Sequence, residues 1–153
     1  MQTRRQTLKQ SAAVAALAAG SGLLPQSALA AFNKAAFEVN GVNGALKALG
    51  VSGDPVASGD VTLTAPDIAE NGAVVPFALS TKLPDVKQLV LLVEKNPFAL
   101  AAVFDVTPEV EANFATRSKM GETSDVYAVA ITKDNKAYFA KKEVKVTLGG
   151  CGG

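Results

Sequence analysis

The chain contains no histidine and no tryptophan, and one cysteine among 153 residues. Without histidine there is no Ser/His/Asp triad, no Cys/His couple and no imidazole metal site. A lone thiol forms neither an internal disulfide nor a multi-thiolate metal centre. The carboxylates stand singly, with no spacing that implies an acid/base pair. A phosphate-binding glycine loop is missing too: Gly149, Gly150, Gly152 and Gly153 follow a strand pattern but no lysine, threonine or helix comes after them. Charge is close to balanced, with 15 basic against 14 acidic residues. That leaves nucleic-acid binding without the positive field it needs. These absences point to a protein with no resident cofactor or metal and no turnover of its own.

What is present begins with a leader. Arg4 and Arg5 lie in a polar n-region that runs from Thr3 to Lys9. An apolar stretch follows from Ala12 to Leu24, broken by Gly20 and Gly22. It is shorter than the roughly 20 residues of a spanning helix, so no stable membrane association is expected. Ala28, Leu29 and Ala30 set small residues where a signal peptidase cuts. Residues 1–30 therefore read as a twin-arginine signal peptide, and the protein as periplasmic. An ordinary signal peptide with adjacent arginines is the alternative. Loss of Arg4, Arg5 and Lys9 with the leader leaves 12 basic against 14 acidic residues, a net of −2. The remainder is one domain's length.

Residues 31–148 read as a helical segment followed by a β-domain. From Ala31 to Gly50 the apolar residues Phe32, Ala35, Ala36 and Val39, then Ala45, Leu46 and Leu49, recur at helical spacing. Asn40, Gly41, Asn43 and Gly44 interrupt them, which predicts two short helices or one irregular one, closed by Gly50. Beyond Val51 the period becomes two, and about seven strands alternate with turn signals. The segment from Gln88 to Glu94 is continuously apolar and reads as a strand covered on both faces. Pro76 argues against a central hydrogen-bonded position for the strand from Val74 to Thr81. Thr107 and Pro108 are placed to start a helical turn. Tyr127, Val129 and Ile131 point to one face; Val126, Ala128 and Ala130 point to the other. In the last strand Ala140, Val144, Val146 and Leu148 face inward, and Lys141, Glu143, Lys145 and Thr147 outward. The pattern is mostly β: an Ig-like antiparallel β-sandwich with a short N-terminal helical segment. A partly closed barrel is the runner-up.

Residues 149–153 read as a flexible arm, with Cys151 third from the end and glycine on both sides. Gly149 and Gly150 supply a hinge, and Gly152 and Gly153 keep the tip slim. Five extended residues reach roughly 16 Å at about 3.3 Å each. The thiol has no local activator, so the sequence supplies a nucleophile whose chemistry is left to partners. The alternative is an interaction module whose exposed cysteine forms only intermolecular disulfides. Two charged groups accompany the arm. Arg117, Lys119 and Glu122, beside Ser124 and Asp125, would meet an anion or partner, or form a solvated strand face. Lys142 and Lys145, with Lys141, would steer an acidic partner toward the arm or blunt a strand edge.

Three stretches resemble the sulfur-oxidation carrier family SoxY. One is Val144, Lys145, Val146, Thr147, Leu148, Gly149, Gly150, Cys151, Gly152, Gly153. Another joins the run from Ile68 to Pro76 with Val93, Glu94, Lys95, Asn96 and Pro97. The third runs from Thr116 to Ser124. The family more often carries alanine where Gly121 stands and phenylalanine where Thr7 stands; neither departure touches Cys151. The resemblance implies an Ig-like sandwich that pairs with a SoxZ-like subunit and carries thiosulfate-derived sulfur on Cys151. It implies transient docking to a SoxAX-like haem protein that joins the thiol to thiosulfate, and to a SoxB-like hydrolase that releases sulfate. Where a SoxCD-like dehydrogenase exists, the remaining sulfane sulfur would be oxidised on the same arm.

Overall fold

The computed structural model describes residues 33–147. The leader expected over residues 1–30 and the arm expected over residues 149–153 lie outside that range. Two helices come first, α1 (Lys34–Phe37) and α2 (Val42–Ala48). Nine strands follow: β1 (Val56–Ala57), β2 (Val61–Thr64), β3 (Ile68–Ala69), β4 (Val75–Thr81), β5 (Val86–Val93), β6 (Leu100–Asp105), β7 (Asn113–Ser118), β8 (Ser124–Thr132) and β9 (Ala137–Val146). The large sheet runs β1-β9-β8-β5-β6, with β3 on the far flank of β9; the small sheet runs β2-β4-β7. Seven strands of four residues or more thus form the mostly β, Ig-like sandwich that the alternation predicts.

The continuous apolar run is the centre of the large sheet. Leu89, Val90, Leu91, Leu92 and Val93 of β5 are all completely buried. Leu89, Leu91 and Val93 pack with Val126, Ala128 and Ala130 of β8 against Val75, Phe77 and Leu79 of β4, the small sheet's inner face. Val90 and Leu92 pack with Val129 and Ile131 against Ala36, Ala45 and Leu46 of the helices. The large sheet is therefore the middle of three layers, which is why β5 has no polar face. Ala36 takes the buried place on α1 while Ala35 is exposed, so the helical stripe is narrower than its spacing predicts. Gly50 ends α2 in a left-handed conformation, φ 82°. Its N–H donates to Lys47 O and that of Val51 to Leu46 O, each at 3.0 Å, the paired bonds of a Schellman cap.

Three expectations are corrected. The strand containing Pro76 is central, not peripheral. Pairing with β2 begins only at Ala78, opposite Thr64, whereas Pro76 faces Arg117 of β7. At Pro76 the β2 side is already vacant, so no ladder bond is lost to the missing N–H. Thr107 and Pro108 open a turn closed by Val110 N–H on Thr107 O at 3.0 Å, with no helix. The sandwich is also not wholly antiparallel, because β1 and β3 pair with β9 in parallel. Pairs of two residues carry too little periodicity to read in advance.

Leu91→Ala removes a fully buried side chain between the sheets and is expected to cost about 2–5 kcal/mol in urea unfolding. A loss below about 1 kcal/mol would show that this interface does not hold the sandwich together.

Candidate functional site

The last strand ends among segments far apart in sequence. On one flank of β9, Lys145 N–H donates to Asp67 O at 3.0 Å and Thr147 N–H to Ala69 O at 3.1 Å, across the pairs Ile68–Lys145 and Ala69–Val146. On the other flank β8 begins only at Ser124, paired with Val144. There the Thr123 hydroxyl accepts from Val146 N–H at 3.0 Å, prolonging the ladder beyond the strand that makes it. A Cβ on Gly72 would lie 2.5 Å from the Met120 carbonyl oxygen and 2.9 Å from a Val146 methyl. Gly72 is therefore glycine for lack of space, and its own carbonyl accepts from Met120 N–H at 2.7 Å. Strand, loop and turn are locked around Val146.

Asn96 fastens the next layer. Its side-chain N–H donates to Lys119 O at 2.8 Å and its side-chain oxygen accepts from Gly121 N–H at 3.2 Å. The Ser124 hydroxyl is buried, accepts from Lys95 N–H at 3.0 Å and donates to Asp125 O at 2.9 Å. Gly121 has open space where a side chain would stand and no left-handed φ. Alanine fits there as readily as glycine. All the described parts of the stretches singled out above thus meet at one end of the sandwich, where the chain runs on to Cys151.

The charged candidates divide. Arg117 lies on the outer face of the small sheet, in line with Ala115, and Lys119 is exposed just past the end of β7; their side chains have no ion-pair or hydrogen-bond partner among the described residues. Glu122 is exposed in the turn between β7 and β8, and its carboxylate is also unpaired. Lys145 points from the large sheet on the side of Lys141 and Phe139, away from Arg117. Lys142 lies between: its ammonium donates to Ala65 O at 2.6 Å and pairs with Asp67 at 2.9 Å. It holds the crossing of the chain from one sheet to the other. Lys141 pairs with Asp125 at 2.9 Å over the ring of Tyr127. That hydrogen bond raises the Lys141 pKa, while burial, followed by the charge of Glu94, raises that of Tyr127. Both shifts lead away from neutrality, so neither group is poised as an acid or base. The described residues hold no group of three metal-ligating side chains. Sequence reasoning did not single out Thr123, Asn96 or Gly72 as builders of this end; a hydroxyl or amide in a loop has many other uses.

The model of the sulfur oxidation protein SoxY matches residues 46–151. The chain belongs to the SoxY family. Among solved structures it is similar to the sulfur carrier protein SoxY from Chlorobium limicola f thiosulfatophilum, at 32% identity and a TM-score of 0.58, covering 67% of this chain and 93% of that one. A superoxide reductase (neelaredoxin) variant from Ignicoccus hospitalis matches at 17% identity and a TM-score of 0.50, over 57% of this chain and 79% of that one. That likeness shows the fold alone. No curated protein sequence matches the chain. For this SoxY family member the segments converging on Val146 give the family resemblance a location in space.

Gly72→Val is expected to cost about 1–3 kcal/mol by overpacking. It should also speed amide hydrogen exchange at Val146 and Thr147, and Gly121→Ala should do neither. Unchanged exchange in the Gly72 variant would contradict the packing role.

Proposed function

We propose that this SoxY family member is a covalent sulfur carrier of the sulfur-oxidation system, with Cys151 as the attachment point and residues 149–153 as its arm. The observation that carries the reading is the convergence of the family's stretches on the strand that leads to the only cysteine. A fixed root and a slim tip suit a chain that presents one atom to several active sites in turn. Tethering keeps the intermediate from diffusing and turns each successive capture into protein docking.

The chemistry belongs to partners. The Cys151 thiolate and thiosulfate each contribute one sulfur to a new S–S bond, and two electrons pass to a haem protein of the SoxAX kind. The product is a cysteine S-thiosulfonate. Water then attacks the terminal sulfonate sulfur in a SoxB-like hydrolase, releasing sulfate and leaving a persulfide on the arm. A SoxZ-like subunit pairs with the sandwich, and a SoxCD-like dehydrogenase oxidises the remaining sulfane sulfur where one exists. The site of action is the periplasm, reached through the twin-arginine leader of residues 1–30. Arg117, Lys119, Glu122, Lys142 and Lys145 remain the charged residues closest in character to partner contacts. Of these, Lys142 serves the fold as well.

Intact-mass measurement after incubation with thiosulfate and the haem partner tests the assignment. The chain should gain one thiosulfonate, removable by reductant, and Cys151→Ser should gain nothing while folding normally. Cargo on the serine variant would place the attachment elsewhere. A disulfide dimer as the sole product would favour the interaction-module reading.

A further inference from the structure

The helices cover only part of the large sheet's outer face. A cleft of about 510 Å³ remains between the connection from α1 to α2 and strands β8 and β9. It lies on the helix side of the large sheet, away from the small sheet, and the carrier chemistry has no use for it. Two glycines shape its roof. Gly41 turns the chain at φ 76°, and a Cβ on Gly44 would collide with the Val39 side chain. Leu46 and Val129, both buried, form the floor.

The walls carry the chemistry. The half-buried rings of Tyr127 and Phe139 stand 5.7 Å apart, inclined at 52°. Among the described residues, Glu94 is the one charged member of the lining. The Tyr127 hydroxyl donates to one of its carboxylate oxygens at 3.2 Å, which holds the carboxylate beside the ring. Glu94 has no ion pair among the described residues. Lys141 approaches the Tyr127 ring but is tied to Asp125 at 2.9 Å and is not part of the lining. An anion therefore finds no counter-charge in the cleft. A hard metal ion finds one carboxylate where it needs several oxygens. A neutral apolar ligand would cover Glu94 without pairing it. A cation with an apolar surface matches every wall: ring faces are negative, the carboxylate supplies charge, and the floor takes methyl or methylene groups. The volume is that of a small-molecule site.

We propose that this cleft binds an organic cation, an alkylammonium group seated between Tyr127 and Phe139 with Glu94 as its counter-charge. The inference is independent of Cys151 and of any sulfur cargo. A free quaternary amine and the end of a lysine side chain share this chemistry and differ in what is attached to the nitrogen. Occupancy joins the helix connection to the sheet and so stabilises the fold by mass action.

Choline and its neutral isostere 3,3-dimethyl-1-butanol differ by a charged nitrogen in place of a carbon. Each is titrated into the full ¹⁵N-labelled chain at matched ionic strength, with Nα-acetyl-lysine amide as a third arm. Choline is expected to give saturable amide shifts at Gly41, Gly44, Glu94, Tyr127 and Phe139, and to bind at least about fivefold more tightly than the alcohol. Glu94→Gln and Tyr127→Leu should each weaken choline about three- to tenfold, with the unliganded spectra verifying the fold of each variant. Tighter binding of the lysine amide than of choline assigns the group to a partner's lysine, and the reverse order assigns it to a free quaternary amine. Equal binding of choline and the alcohol would reduce the cleft to an apolar surface and overturn the proposal. Choline affinity unchanged in both variants, shifts confined to other residues, or no saturable shift with either cation would overturn it as well.

Discussion

The constraint on which the rest depends is the fastening of β9 at its end. A terminal strand frays unless both flanks are held, because its last N–H groups otherwise bond only to water. Here Asp67 and Ala69 take one flank, the Thr123 hydroxyl takes the other, and Gly72 lets Val146 sit against Met120. Each contact is modest; a single hydrogen bond contributes about 0.5–1.5 kcal/mol. Together they define a point from which the remaining residues depart. Position, not reactivity, is what the fold contributes to the proposed chemistry.

Much of this architecture was legible in the chain. The apolar run of β5, bounded by turn signals, announced a strand covered on both faces, and three layers are the physical reason. Tyr127, Val129 and Ile131 fall on the helix side and Val126, Ala128 and Ala130 on the sheet side because alternation on β8 has no competing signal. Gly50 could be read as a helix end because only a residue without Cβ settles easily at its φ. The parallel pairings of β1 and β3 were not legible. They span two residues each and are specified by distant β9. Pro76 misled because proline reports a missing donor but not which neighbouring strand is absent.

The proposed site rests on chemistry that the sequence offers and not on geometry that it shows. Composition excludes histidine-based mechanisms, and the glycine-flanked thiol stands out in a chain with one cysteine. The loops that brace the root depend on Asn96, Ser124 and Thr123, residue types that serve turns everywhere. Their common purpose emerges only when β5, β7, β8 and β9 are brought to one end. The charged residues show the opposite case. Arg117 and Lys145 look alike on paper but stand on opposite outer faces, and Lys142 is taken up by Ala65 and Asp67.

The central claim is that sulfur travels on the last thiol of the chain. Peptide mass mapping of the protein recovered from its native host growing on thiosulfate tests this most directly. The account predicts that the C-terminal peptide containing Cys151 carries persulfide or thiosulfonate sulfur that reduction removes. A peptide found only as free thiol or as a disulfide between two chains, while thiosulfate is being oxidised, would contradict it.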